Sequence, residues 1–276
     1  MIDLEVKTTG EPVNLKEHKS MKNIAWLTFA LVFATAELHA QDYNKYRFGF
    51  KIEPNMSWFS PKENYLEASD NKLRFTFGLN ADFHFTENYA IGSGMNVFST
   101  GGELTYLRLL YEDSKDHIVR TTRDYSIKYV EIPLTLKLRT NEIGYITYWG
   151  QFGLGLGVKF DAKMDETFSY EYVLEDQGWV ESVGKEDVET ENVNISGDIQ
   201  PLRASLIIGA GIEYSFSGST AIMAGIVFNN GFTNVLRRKG VQTKSNGEPV
   251  FESASPKEYD LNAITNSLAL TVGILF

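Results

Sequence analysis

The stretch from residue 73 to residue 85, which reads LRFTFGLNADFHF, alternates between apolar and polar side chains without a break. One face of this alternation is apolar: Leu73, Phe75, Phe77, Leu79, Ala81, Phe83 and Phe85. The other face holds Arg74, Thr76, Gly78, Asn80, Asp82 and His84. Successive side chains of a β-strand point to opposite faces, so the stretch predicts one long strand with an apolar and a polar side. Ordinary strands have about five or six residues, and this greater length suits a barrel wall between lipid and a polar lumen.

Seven further segments alternate in the same way. They lie at residues 46–53, 89–100, 127–139, 145–161, 201–216 and 220–232, with a last one that ends at residue 276. Short connections (86–88, 140–144, 217–219) take turns with long polar ones (57–72, 101–126, 162–200, 233–262). This order is typical of outer-membrane barrels. The sequence therefore predicts an all-β fold for residues 41–276: a closed antiparallel eight-stranded transmembrane β-barrel with short periplasmic turns, long extracellular loops and periplasmic termini.

Aromatic residues gather at the predicted strand ends, as they do at membrane interfaces. The predicted periplasmic girdle contains Phe85, Tyr89, Tyr145, Tyr148, Trp149 and Phe216. The predicted outer girdle contains Trp58, Phe59, Phe228 and Phe232. Phe276, which follows apolar residues at alternate positions, is expected to be the signal read by the barrel-assembly machinery.

A soluble up-and-down barrel would alternate as well, with its apolar side chains inside. The strand lengths, the regular charges on one face and the start of the chain all disfavour it. Residues 21–40 have a charged beginning, an apolar run and an end resembling A-x-A, which are the parts of a secretory signal peptide cleaved after Ala40. Residues 1–20 are interpreted as a mis-assigned extension before a translation start at Met21; the alternative is a signal peptide with a long leading region.

The composition excludes several kinds of function. The chain has 276 residues, a net charge of −10 and no cysteine. Nucleic-acid binding requires clustered lysine and arginine, so the acidic balance argues against such a partner. Without cysteine there is no disulfide, no thiolate metal site and no lipoprotein anchor.

One passage carries a family resemblance. Residues 129–144 read YVEIPLTLKLRTNEIG, and residues 148–155 read YWGQFGLG. This passage resembles the PorT-type outer-membrane β-barrel family, which is porin-like and has an OmpA-like eight-stranded architecture. The similarity is weaker over the other strands and absent before Met21. It implies the barrel fold and, for some members, an accessory role in type IX protein secretion.

The inward face of the predicted barrel is rich in charge. An eight-stranded barrel is about filled by its own side chains, and buried charges persist only when they are paired. We therefore expect a packed lumen ion-pair network rather than a conduit. Its predicted members are Arg47, Lys51, Glu53, Arg74, Asp82, His84, Glu131, Lys137, Arg139, Lys159, Arg203 and Glu213.

No residue set predicts catalysis, a cofactor or a metal. His84 lies near Asp82, and His117 follows Asp116, but no serine is nominated as a nucleophile for either. The glycines of residues 153–157 lie within a strand that no helix follows, so they do not form a nucleotide-binding fingerprint. The acidic loop 162–200 lacks the ligand spacing of a compact calcium loop; a diffuse divalent-cation surface is the alternative.

The same loop offers a binding hypothesis. Strands five and six are expected to extend above the membrane as a hairpin that exposes aromatic side chains. The predicted partner contact consists of Phe168, Tyr170, Tyr172 and Trp179.

The favoured function is that of a non-enzymatic envelope protein that acts with the lipid bilayer and other secretion or envelope proteins. The alternatives are a barrel whose loops mediate binding or adhesion and, more distantly, a small outer-membrane hydrolase.

Overall fold

A computed structural model describes residues 45–217, 220–253 and 255–276. The predicted extension 1–20 and signal peptide 21–40 lie outside these residues. Eight long strands form the body of the fold: β1 Tyr46–Pro61, β2 Lys72–His84, β3 Tyr89–Glu112, β4 Lys115–Arg139, β5 Ile146–Glu175, β6 Leu202–Ser217, β7 Thr220–Gly231 and β8 Ala263–Leu275. The first described residue, 45, follows the predicted cleavage point.

The eight strands close into a ring. Each strand pairs antiparallel with the next one along the chain. The first and last strands then pair with each other, for example Gly49 with Leu275. The predicted fold class is confirmed.

The outside of the ring is apolar and its inside is largely polar. The outward residues Leu73, Phe75 and Phe77 of β2 are each more than half exposed. The inward residues Thr76 and Asp82 of the same strand are buried. The alternative of a soluble barrel is wrong because its apolar face would point inward.

Two ends of the barrel can be distinguished by their connections. The turn end carries the connections 85–88 and 140–145 and the one between β6 and β7, whose residues 218 and 219 lie outside the description. The loop end is the opposite one. Gly144, in the second turn, has a φ of +69°, a backbone conformation that favours glycine.

The predicted loop 101–126 is wrong. β3 continues to Glu112 and β4 begins at Lys115, and the two strands stay in register up to that point. Asp113 and Ser114 form the turn, with φ values of +50° and +63°, as a two-residue hairpin turn requires. The alternation is weak here because both faces of the hairpin are covered below its tip, so adjacent residues such as Tyr106 and Leu107 are both buried.

The predicted hairpin of strands five and six is also wrong in its pairing. β5 runs for 30 residues, but β6 pairs only with residues 146–158 of it. Above that point β5 pairs with β4 on one edge and with the short strands Gly178–Glu181 and Val188–Asn194 on the other.

These extensions form one sheet, which we call the loop-end sheet. It consists of residues 101–112, 115–126 and 162–175 of β3, β4 and β5, with four flanking short strands: Lys239–Val241 and Glu258–Asp260 on the β3 side, Gly178–Glu181 and Val188–Asn194 on the β5 side. Glu67–Ala68 also pairs with β3. All four predicted long loops therefore contribute residues to ordered strands.

The interior changes character along its length. At the loop end it is an apolar cluster that includes Phe59, Phe98, Tyr125 and Tyr129 from the strands. The connections add Leu66, Ile195, Ile199, Val235, Leu236 and Leu261 to the same cluster. We call this cluster the loop-end core. A uniformly polar lumen was expected, and the polar part is confined to the region nearer the turn end.

Two predicted girdle residues point inward. Tyr89, Tyr145 and Tyr148 are exposed at the turn end as expected, but Trp149 is only 4% exposed. Phe59 at the other end is 2% exposed. Both residues point inward because side chains alternate along a strand. Trp149 follows the outward Tyr148, and Phe59 follows the outward Trp58, whose ring stacks on Phe228 at 6.3 Å.

Candidate functional site

Alternation places a group of charged side chains together inside the turn end of the barrel. We call Arg47, Asp82, Lys137, Arg139 and Glu213 the turn-end cluster. Lys137 Nζ lies 2.6 Å from Asp82 Oδ2 and 2.8 Å from Glu213 Oε1. The Lys137 side chain is 2% exposed, so these are buried ion pairs.

Glu213 is the residue on which three cations converge. Arg47 Nη1 donates to its Oε2 at 2.6 Å, and Arg139 Nη2 donates to the same oxygen at 2.9 Å. Lys137 occupies its other oxygen. Removing one partner of a buried ion pair leaves an uncompensated charge, which typically costs about 3–5 kcal/mol.

A second group lies nearer the middle of the barrel. Arg203 Nη1 donates to Glu131 Oε2 at 3.3 Å, and Arg203 Nη2 donates to Asn229 Oδ1 at 2.8 Å. Asn229 donates in turn to Glu131 at 3.2 Å, and Arg203 Nε donates to Thr265 Oγ1 at 3.1 Å. The guanidinium also lies 4.7 Å from the Phe98 ring centre. This mid-barrel cluster borders the loop-end core.

The remaining predicted lumen residues are placed differently. Lys51 Nζ and Glu53 Oε1 form a separate pair at 2.9 Å. His84 Nε2 lies 3.2 Å from Arg139 Nη1, next to the turn-end cluster. Lys159 forms no ion pair with an acid of the described residues; its ammonium donates to the backbone carbonyls of Ser196 and Ile199.

Arg74 belongs to the loop end. The ladder between β2 and β3 ends at Phe77 and Val97, so no described strand pairs with the loop-end part of β2 on that side. Arg74 bridges the gap by donating to Asp124 Oδ1 at 2.9 Å and to the carbonyl of Tyr125 at 3.0 Å. The predicted network is thus divided among several places along the barrel.

Trp149 is an interior residue that sequence reasoning missed. Lys137 Nζ lies 5.5 Å from its ring centre, and the ring fills space beside Gly211 and Gly225, where an added Cβ would collide with it. The parity of β5 contained the signal, since Trp149 lies on the same face as Gln151 and Gly153.

A cavity of about 40 Å³ lies between the turn-end and mid-barrel clusters. Its wall includes Lys51, Glu53, Asp82, Glu131 and Lys137 together with Asn55, Asn96, Trp149 and Thr271. Such a volume holds about three water molecules. It is a small chamber inside a packed interior.

The loop-end sheet has its own buried charges, which the sequence reading left in a loop. Arg123 Nη2 and Arg108 Nη2 lie 2.7 and 3.1 Å from the same oxygen, Glu166 Oε1. Arg108 also lies 5.1 Å from the centre of the Phe168 ring. Phe168 is 7% exposed, so its prediction as an exposed partner contact is wrong: it packs beneath Arg108.

The other predicted contact residues lie beside it. Tyr170 packs edge-on against both Phe168 and His117, and Trp179 lies 5.9 Å from Phe251. Tyr170 and Tyr172 are half-buried. The hydroxyl of Tyr170 donates to the Glu112 carboxylate, and this hydrogen bond raises the pKa of Tyr170 to about 12.

Among the described residues, neither His84 nor His117 has a hydrogen bond to a serine. His117 is buried, and neither of its ring nitrogens has a hydrogen-bond partner among the described residues. His84 Nδ1 is likewise unpartnered there. In this part of the chain no three His, Cys, Asp or Glu side chains are grouped so as to hold a metal ion.

Several solved structures are similar to the chain. Neisserial surface protein A (NspA) is 10% identical with a TM-score of 0.37, and the match covers 82% of this chain and 95% of that one. OprG from Pseudomonas aeruginosa is 12% identical with a TM-score of 0.41, covering 84% and 94%. Ail of Yersinia pestis, solved with the heparin analogue sucrose octasulfate, is 13% identical with a TM-score of 0.33, covering 84% and 100%. No curated protein sequence matches the chain.

No helix within the described residues is long and apolar enough to cross a membrane. The profile of one protein family, described as outer membrane protein beta-barrel domain, matches residues 39–237. The matched range begins before β1 and continues beyond β7, so it includes seven of the eight strands of the ring. The chain belongs to the outer membrane protein beta-barrel domain family.

Proposed function

We propose that this outer-membrane protein is a non-enzymatic component of the PorT type that assists protein secretion. The resemblance of residues 129–144 and 148–155 to PorT-type proteins supports this role. These residues lie in the turn-end halves of β4 and β5 and in the turn between them. The turn end faces the periplasm in this proposal, and the loop end faces outward.

The length of β5 carries the proposal that the protein acts through its surface. A strand of about 9–11 residues crosses a bilayer, whereas β5 has 30. The strand and its neighbours therefore extend far beyond the apolar band as the loop-end sheet. The interior is filled by the loop-end core and the charged clusters, which favours docking of other secretion or envelope proteins over passage of a solute.

The decisive experiment compares exported proteins in culture medium from a strain with the gene and a strain without it. We expect exported proteins to leave the medium and accumulate in the periplasm of the deletion strain. Restoring the native gene should reverse the effect. An unchanged medium would remove the secretion role.

A second strain tests the loop-end sheet. In it, residues 103–124 are replaced by Asn-Gly, which joins the register partners Gly102 and Tyr125 through a short turn. We expect this protein to reach the outer membrane but to fail in restoring secretion. Normal secretion by the shortened protein would show that the sheet is not the docking surface.

The second candidate function is loop-mediated binding or adhesion. The strand Val188–Asn194 pairs with β5 along one edge, and no strand in the described ranges pairs with its other edge. An exposed edge can accept an extended peptide as an additional strand. Loss of adhesion to a surface with normal secretion, in a strain lacking the gene, would favour this function.

The non-enzymatic part of the proposal is supported by the placement of the histidines. His84 contacts an arginine, and His117 contacts an aromatic ring. A hydrolase would require a nucleophile within hydrogen-bond reach of one of them.

A further inference from the structure

Four buried polar groups on the wall of the interior cavity have no hydrogen-bond partner among the described residues. They are Asn55 Oδ1, Asn96 Oδ1, Thr271 Oγ1 and Trp149 Nε1. Their side chains are 1%, 2%, 1% and 4% exposed, respectively. A buried polar group that stays unpaired costs about 1–3 kcal/mol, so four such groups on residues that line one cavity call for a ligand.

The position of Asn55 is fixed by its other atoms. Its Nδ2 donates to Thr76 Oγ1 at 3.2 Å and to the carbonyl of Ser99 at 3.3 Å. The amide nitrogen is thereby used by the wall of the barrel. The oxygen of the same amide remains as an acceptor that the wall does not satisfy.

The charges around the cavity argue against an ion. Each acid in the wall already faces a base: Glu53 faces Lys51 at 2.9 Å, Asp82 faces Lys137 at 2.6 Å, and Glu131 faces Arg203 at 3.3 Å. A cation would find no uncompensated carboxylate. It would also leave the indole N–H of Trp149 unpaired, while an anion would repel the two amide oxygens.

Water satisfies all four groups. It donates to the oxygens of Asn55 and Asn96, accepts from Trp149, and does either with Thr271. The cavity volume of about 40 Å³ accommodates about three molecules, and buried waters typically make about three hydrogen bonds each.

We propose that this cavity is a binding site for a cluster of two to three water molecules that joins Asn55, Asn96, Thr271 and Trp149 inside the barrel. The cluster connects β1, β3, β5 and β8, which do not all neighbour one another around the ring. It acts as a polar cross-brace between opposite walls.

The test uses the full chain with ¹⁵N-labelled tryptophan, folded in detergent micelles. The sequence has four tryptophans, so the indole signals are few, and the Trp149→Phe variant identifies the relevant one. A rotating-frame cross-peak between water and the Trp149 indole proton reports direct contact, and its sign separates contact from chemical exchange. The spectrum of the Trp149→Phe variant is the comparison and should lack the peak.

Two matched substitutions test the assignment. Thr271→Val removes a hydroxyl from the cavity wall, and we expect it to weaken the Trp149 water peak at least twofold. Thr147→Val removes a hydroxyl that is equally buried but outside the wall, and we expect no change. Heat-dependent mobility on gels confirms that both variants are folded.

Two results would overturn the proposal. The first is a native protein whose Trp149 indole shows no contact with water. The second is a saturable shift of the Trp149 signal when sodium chloride, potassium chloride or sodium sulfate is added, since it would identify the cavity as an ion site.

Discussion

Glu213 neutralises more charge than any other acid of the turn-end cluster. It is 1% exposed and contacts Arg47, Lys137 and Arg139 within 3 Å. Alternation predicted that all four side chains point inward. It did not predict which of these side chains form ion pairs. Pairing across the lumen depends on strand tilt and register, and the alternation within a single strand determines neither of them.

Replacing this carboxylate should weaken the fold. We expect Glu213→Gln to lower the free energy of unfolding by about 3–5 kcal/mol, because three buried cations lose their shared counter-charge. Urea titration in lipid vesicles, followed by tryptophan fluorescence, measures the change. Glu142→Gln is the control, since Glu142 is exposed and accepts a hydrogen bond from Ser215 but forms no ion pair within the described residues; an equal loss in both variants would contradict the argument.

The Tyr170–Glu112 contact predicts a response to alkaline pH. The pKa of Tyr170 is raised from 10.0 to about 12, so the hydrogen bond stabilises the fold below pH 10 and is lost as the pH rises from 10 to 12. Phenolate absorbance of the native protein minus that of Tyr170→Phe isolates this titration. In Glu112→Gln we expect the midpoint to return toward 10; an unchanged midpoint would refute the assigned cause.

Substitution of His84 and His117 tests the proposal that the protein is not an enzyme. We expect His84→Ala and His117→Ala strains to secrete proteins like the native strain, since neither ring has the partners of a catalytic base. The readout is the same comparison of culture media, with immunodetection in outer-membrane fractions as the folding control. A full secretion defect in a well-folded variant would reopen the hydrolase hypothesis.

The β3–β4 hairpin shows where alternation fails to predict a strand. Residues 89–100 and 127–139 alternate because one side meets lipid and the other the lumen. At residues 101–107 and 117–119 protein covers both sides, and Leu104, Tyr106 and Leu107 are all buried. A strand covered on both faces loses the period of two, so the sequence there looks like a loop.

The tip of this hairpin offers a stabilising change. Ser114 has a φ of +63°, a left-handed conformation that costs a residue with a Cβ about 1–2 kcal/mol. We therefore expect Ser114→Gly to raise the unfolding free energy by about 1 kcal/mol, measured by urea titration. Ser126→Gly, within β4, should instead be destabilising by about 0.5–1 kcal/mol; the same sign for both would contradict the turn geometry.

For the whole molecule, the sequence predicted the closed ring of strands but not the apolar residues that fill its loop end. Eight alternating segments and the order of their connections define a closed barrel. The loop-end core depends on residues such as Ile195, Val235 and Leu261, which come from connections and carry no periodic signal. Connection residues enter a core through tertiary packing, which a single sequence does not display.

Because the interior is filled, we expect the protein to conduct no ions across a membrane. The loop-end core and the two charged clusters leave a chamber of about 40 Å³, whereas open channels are built from about 16–18 strands. We expect planar bilayers containing the folded protein to show no conductance steps. Stable steps that appear with folded but not heat-unfolded protein would contradict a packed interior.

Because β1 pairs with β8, the ring can close only after the last strand is available. Phe50 lies opposite Ile274, and Trp58 lies opposite Asn266. One edge of β1 therefore stays unpaired until β8 has been synthesised. Until then β1 offers a row of open backbone groups, which is a hazard for aggregation. Joining strands from the two ends of the barrel is also entropically slow. The vulnerable period of this protein is therefore its transit before closure, and a factor that shields β1 during that interval would determine the yield of folded barrels.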